Sequence, residues 1–463
     1  MKGDFSRDTF DASRHFLRVL MQQGRVQLDA DWNEQTAILL YYLQNLAKDL
    51  IGPYGGPARN LGFGLSAREA AQGDFRLEKG NYYVEGILCE NDHANGILFS
   101  EQPDYPLPED FHWTDGTYLV YLDVWERHVT WIEEPNIHEI ALGSVDTATR
   151  AKLMCQVKVT KESSSQSKEI TKDNVRDSFQ EWIDRNDWQP PNRGRLSAKA
   201  KDPSKKDVDP CTIPPEARFR GPENQLYRVE IHKSGPGDGT ATFKWSRDNG
   251  AIVFPLIELA GNTAIIEHLG RDDRHTLNKE QWVEIMDDDL AKRGEAGLLL
   301  QIESIDVIDG KVTLRVPEGT TMPFYDKNST RHPLLRRWER GAAAIKEASL
   351  FSSWLELEDG IMIQFAGFRP LPGASSLFHD YRVGDYWQVP ARVANGDVLW
   401  PLEYDKQGRV LKDSGSPIPQ ALPPHGVTHH YAPLWIINVA GGNIAIAAGD
   451  CRCKFPSAAI CPP

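Results

Sequence analysis

The chain has 463 residues, enough for about three domains of ordinary size. Its 40% hydrophobic and 25% charged content is that of a folded protein and excludes a mostly disordered one. With 52 Lys and Arg against 66 Asp and Glu, the net charge of −14 argues against a nucleic-acid partner read through phosphate neutralisation. No run approaches the ~20 apolar residues needed to cross a bilayer.

The first eight residues are polar and lack the apolar core of a secretory signal, so synthesis and folding in the cytoplasm are expected. Six scattered Cys do not make a disulfide scaffold. Aromatic residues favour strands and Gly and Pro punctuate turns; 44 aromatics beside 37 Gly and 30 Pro therefore predict a β-rich body (13 Trp, 14 Tyr and 17 Phe).

One segment breaks that pattern. Asp29–Ile51 has no internal Gly or Pro and stops at Gly52-Pro53, which predicts a helix. Trp32, Leu39, Leu43, Leu46 and Leu50 fall on one stripe at 3/4 spacing, with Thr36 in the remaining slot. Three heptads are about the minimum for a coiled-coil seam. Ile38, Leu40, Tyr41 and Tyr42 widen the apolar surface, so the helix needs partners on more than one side. Its own domain supplies one side, and neighbouring subunits are expected on another.

A Gly- and Pro-rich arm follows at 52–64. A hairpin is predicted from 75–78 and 82–89 around Lys79-Gly80-Asn81, and residues 117–131 make one bent strand or two short ones. A further strand is expected at 154–160. Residues 161–210 are rich in Ser, Lys and Asp and read as an exposed insertion, apart from a helix candidate at 175–183. Beyond 226 hairpins recur: 242–246 with 251–256 around Asn249-Gly250, and 302–308 with 311–316 around Asp309-Gly310. Two more join 354–357 with 361–365 around Asp359-Gly360, and 434–439 with 444–447 around Gly441-Gly442. The fold class expected is mainly β, antiparallel sandwiches or barrels with an N-terminal helix. The expected divisions are an arm and oligomerisation helix (1–52), a first β domain (53–160), a charged insertion (161–212), a second β domain (213–400) and a C-terminal β segment (401–463).

No nucleophile elbow, phosphate loop, dinucleotide fingerprint or zincin motif occurs. His425 and His429, with Cys451 and Cys453 downstream, are weak candidates for a structural metal, because imidazole and thiolate suit zinc while the spacing matches no familiar pattern. Asp123, Glu126, Glu133, Glu134, Glu139 and Asp146 lie near Trp125 and Trp131, but no spacing singles out a glycosidase pair. Asp29, Asp31 and Glu34 at a helix start are what capping and the macrodipole favour. Arg25, Arg127, Arg150, Arg220, Arg228 and Arg247 sit in apolar or aromatic contexts and predict buried Arg–carboxylate pairs. No catalytic residue and no cofactor is assigned.

The N-terminal motif, KGDFSRDTFD at 2–11 followed by GRVQLDADWNEQ at 24–35, resembles a bacterial family of unknown function, as do YLDVWER at 121–127, NQLYRVEIH at 224–232 and FKWSRDNG at 243–250. The family is associated loosely with phage-tail-like contractile injection loci. More distantly, Phe10, Gly24-Arg25, Asn33-Glu34-Gln35 and the Gly80 to Gly86 pattern Gly-x-Tyr-x-Val-x-Gly are similar to phage baseplate and tail-fibre attachment proteins. That resemblance implies docking through Phe10, Arg25, Asn33 and Glu34 and trimeric association of the N-terminal helix. It supplies no catalytic residue. The function expected is therefore a structural component of a contractile injection particle, made in the cytoplasm and assembled into a particle that is released or membrane-docked. Its partners would be further copies of itself as a homotrimer, other particle proteins and surface glycans. The alternative is a carbohydrate-binding or glycan-hydrolysing β-protein.

Overall fold

The computed structural model describes residues 1–66, 73–104, 107, 111–142, 145–161, 174–175, 179, 183, 192–201, 218–270, 275–347, 354–367, 378–413, 415–446 and 449–456. The expected mainly β fold with an N-terminal helix is what forms. Among the described residues, three large hydrophobic cores and a smaller fourth cluster organise it.

The first core lies between two sheets. One sheet pairs Gly116–Val129 with Arg150–Lys161 on one side and with His430–Ala440 on the other, and Asn443–Ala445 closes its far edge. The other sheet joins Lys454–Phe455, Tyr54–Pro57, Gly80–Val84 and Ile87–Asn91. Strand pairing thus brings the last part of the chain back onto the first β unit, across the boundary expected at 401. Residues 117–131 are one long strand, Gly116–Val129, because alternate positions face the core and the outer layer with no breaker between them.

The second core is covered by a five-stranded sheet built on Gln225–Lys233, Asp238–Ser246 and Tyr386–Arg392, and by a smaller sheet in which Leu196–Ala200 pairs with Ile361–Phe365. Leu196–Ala200 falls inside the stretch expected to be an exposed insertion, yet Leu196, Ser197, Ala198 and Ala200 are buried. Small apolar side chains are enough to make a core strand once another sheet covers them. Most of the rest of 161–210 lies outside the described residues. Val175, Phe179 and Ile183, at helical spacing, are buried against Leu119, Tyr121, Ile436 and Cys451.

The third core fills a closed six-stranded antiparallel barrel, formed between Val253–Ala260 and Leu334–Trp338 and inserted in the second unit. Here one expectation fails. Asn249-Gly250 does adopt the turn geometry, with φ of 51° and 67°, but its flanking strands do not pair with each other. Asp238–Ser246 pairs with Gln225–Lys233 and Ala343–Lys346, while Val253–Ala260 enters the barrel. The turn is the corner where the chain leaves one unit for the next.

A second correction concerns the first hairpin. Its turn is Glu85-Gly86 (φ 51° and 78°), joining Gly80–Val84 to Ile87–Asn91, whereas Arg76–Leu77 pairs with Leu65–Ser66 and Ile97–Leu98. Two consecutive residues at positive φ match strand twist better than the three-residue loop at 79–81. The hairpins around Asp309-Gly310, Asp359-Gly360 and Gly441-Gly442 form as expected.

Candidate functional site

The helix forms over Asp29–Ile51, as expected, and ends at Gly52, whose N–H donates to the Lys48 carbonyl. Its body-facing side carries Ala30 and Ile38, which are buried. On the same side, Lys48 pairs with Glu85 at the hairpin turn. The Gln44 backbone comes so close to Gly86 that an added Cβ there would lie 1.9 Å from the Gln44 carbonyl oxygen. Helix and hairpin are therefore one docked unit.

The predicted seam lies on the other side. Trp32, Leu39, Leu43, Leu46 and Leu50 are between 54% and 78% exposed. At 3.6 residues per turn they project away from Ala30, Gln44 and Lys48, and among the described residues the body that holds the helix lies on the opposite side. Leu40, Tyr41 and Tyr42 are also exposed.

The N-terminal arm is fastened to the start of the helix. Ser6 N–H donates to Asp29 Oδ2 at 2.9 Å, Thr9 Oγ1 to Glu34 Oε2 at 2.6 Å and Val19 N–H to Gln35 Oε1 at 2.8 Å. Phe10 packs on Tyr41 with ring centroids 5.8 Å apart. Of the four expected docking residues, Phe10 and Glu34 thus join arm to helix, while Arg25 and Asn33 remain exposed. Asp29 and Glu34, at the helix start, serve as hydrogen-bond acceptors for the arm.

The four metal candidates do not assemble. His429 Nδ1 lies 2.7 Å from Asp123 Oδ1 and its ring stacks on Trp125, whereas His425 packs against Tyr386. Cys451 is buried and its thiol donates to the Gly449 carbonyl, and the Cys453 N–H donates to the Tyr82 hydroxyl. Among the described residues no three His, Cys, Asp or Glu side chains gather to hold an ion. The acidic set is likewise dispersed: Asp123 is buried beside Lys158, and Glu133 pairs with Arg127. Arg228 and Arg247 also find the carboxylate partners expected of them, Glu230 for one and Glu339 and Glu358 for the other.

The densest polar cluster was not singled out by spacing. Where the second sheet meets the barrel, Lys244 Nζ lies 2.6 Å from Glu284 Oε1 and 3.5 Å from Glu230 Oε1. Arg228 Nε donates to Glu230 Oε2 at 2.5 Å, and Lys2 Nζ reaches Glu230 Oε1 at 2.8 Å. Trp338 Nε1 and Gly297 N–H complete the Glu284 shell at 2.9 and 3.0 Å. Burial works against both carboxylates, but the surrounding cations outweigh it: Lys2, Arg228 and Lys244 hold Glu230 well below the usual range, and Lys244 and Lys2 hold Glu284 down. Burial lowers Lys2 itself to about 8. Carboxylates held ionised with their lone pairs occupied act as a clamp, not as general acids. The only sequence signal was the Tyr227-Arg228-Val229-Glu230 run, with Lys244 on the neighbouring strand.

Fold and site together define an antiparallel β protein with an outward apolar helix. The chain belongs to a family of unknown function, DUF6519, whose model matches residues 1–188 and 191–461. No curated protein and no solved structure matches it.

Proposed function

We propose that this chain is a structural component of a multi-subunit particle, self-associating as a trimer through the Asp29–Ile51 helix. The observation that carries this reading is the exposed seam, which faces away from the domain that holds the helix. Burying one Leu fully is worth ~1.5–3 kcal/mol, so a seam of four Leu and one Trp left in water is a large cost that a parallel bundle removes. The Glu85-Gly86 turn fixes the helix to the β body, as a rigid attachment element requires. The assignment to a phage-tail-like contractile injection particle, as a baseplate or tail-fibre-like part, rests on the resemblance of the N-terminal and Gly80–Gly86 motifs. The burial of Trp125 and Trp245, at 4% and 5% exposure, favours core filling over the sugar-stacking role that a glycan-binding protein would give them.

Light scattering tests the reading. The full chain should run at about three times its 52.1 kDa, and Leu43→Asp/Leu46→Asp should run near one. A monomeric full chain, or a double variant of unchanged mass, overturns it.

A further inference from the structure

We propose that the cleft between Ile87–Asn91 and Arg150–Lys161 accepts the N-terminal arm of a second copy as an added β-strand, a reading that rests on self-association and specifies a second contact for it. Both strands are sheet edges, each the last member of one of the two sheets around the first core. Between them lies a cleft of about 290 Å³, with Leu88, Glu90, Leu153 and Cys155 in its lining.

The strand registers show which backbone groups face it. The two-residue turn at Glu85-Gly86 makes Val84 and Ile87 a hydrogen-bonded pair, so Ile87 and Cys89 point inward to their partner strand and Leu88 and Glu90 point out. On the other edge the Gln102 side chain settles the phase. Its amide oxygen accepts from Val157 N–H at 2.8 Å and its NH₂ donates to Val157 C=O at 2.9 Å. The outward groups of this edge therefore belong to Val157 and, two residues apart, to Cys155 and Leu153. Gln102 acts as a one-residue strand that stops the edge at Val157 and leaves Leu153 and Cys155 open. Among the described residues, Leu88, Glu90, Leu153 and Cys155 have no backbone partner on these edges. An open edge beside a cleft is the template for strand addition, and one added strand pairs along the Leu88–Glu90 edge.

Charge selects the occupant. Glu90 and Asp92 line the cleft with no basic partner among the described residues, and Asp104 is shared with Lys152 at 3.0 Å. Residues 14–28 carry three Arg and no acidic residue. Within them Phe16, Leu17, Leu20 and Met21 are exposed, and 15–22 joins no sheet. Val19 N–H points back to Gln35 of its own helix. In an extended segment the N–H groups of Arg18 and Leu20 then point the opposite way, free to pair with another chain. Apolar side chains at 16, 17, 20 and 21 match the Leu88, Ile97 and Leu153 walls.

Photo-cross-linking of the full chain tests this. Leu17→p-benzoylphenylalanine is introduced, isotopically labelled and unlabelled chains are mixed, and cross-links between copies are mapped. The expected result is linkage of position 17 to 88–92 or 151–156 of another copy. Glu90→Pro, which removes an outward N–H while sparing the inner ladder, should lower that yield about tenfold with the thermal melt retained. Inter-copy links confined to 29–51 would leave seam association standing and overturn the arm proposal. An unchanged yield in Glu90→Pro would overturn edge pairing, and a monomeric chain would overturn both readings.

Discussion

Lys244 Nζ and Glu284 Oε1 are 2.6 Å apart with both side chains 1% exposed, so the second sheet and the barrel are joined by a buried ion pair. Such a pair contributes little net stability when intact, but breaking it leaves a buried charge uncompensated. Lys244→Ala is therefore expected to destabilise the fold by ~3–5 kcal/mol, read as a lower urea midpoint. A loss under 1 kcal/mol would show that Lys2 and Arg228 together can neutralise both carboxylates.

Asn249 is the corner residue between those same units. Its side chain donates to the Gly3 carbonyl at 2.9 Å and accepts from Arg228 at 3.3 Å and Gln388 at 3.0 Å, all at positive φ. Asn249→Ala removes these bonds and strains the turn, at a cost of ~1–3 kcal/mol. It should also release the first residues, seen as faster proteolysis ahead of the helix. Equal cleavage rates in variant and wild type would show that Lys2–Glu230 holds the segment without it.

Gly86 lies at φ 78° with the Gln44 carbonyl against it. Gly86→Ala must displace the helix or the turn, costing more than about 1 kcal/mol. Hydrogen exchange should rise over 40–51 and remain unchanged in the barrel. Protection unaltered at 40–51 would mean that the helix is held by other contacts.

Glu358 supplies a pH test. Burial raises its carboxyl to about 7, against Arg247 and with help from Glu339. The folded state thus binds this proton more tightly than the unfolded chain, whose value is near 4.5. Its contribution to stability is complete below about 4.5 and is lost as pH rises towards 7. Glu358→Gln should raise the Tm at pH 8 and leave it nearly unchanged at pH 4. A lower Tm at pH 8 would show that the ionised Arg247 contact at 2.8 Å outweighs the burial cost.

Local signals in the sequence carried far. The helix was legible because its period, its Gly52-Pro53 stop and the absence of interior breakers all agree. The hairpins at Asp309-Gly310 and Asp359-Gly360 were legible for the same reason: turn chemistry and flanking strands are adjacent in sequence. Asn249-Gly250 has the same chemistry and a different use, since positive φ also suits a corner between units. The return of His430–Ala440 to Gly116–Val129 was not legible, because a pairing across some 300 residues leaves no local trace. Nor was the Lys244–Glu284 clamp, since isolated charges on strands read as solvated until a second unit is known to cover them.

The Leu seam is proposed as a contact between copies. An electron-microscopy map of the purified full-chain assembly tests it most directly. Three Asp29–Ile51 helices should lie side by side, with Leu43 and Leu46 of neighbouring copies in contact. Helices separated from one another, with those side chains facing solvent or a different part of the chain, would contradict it.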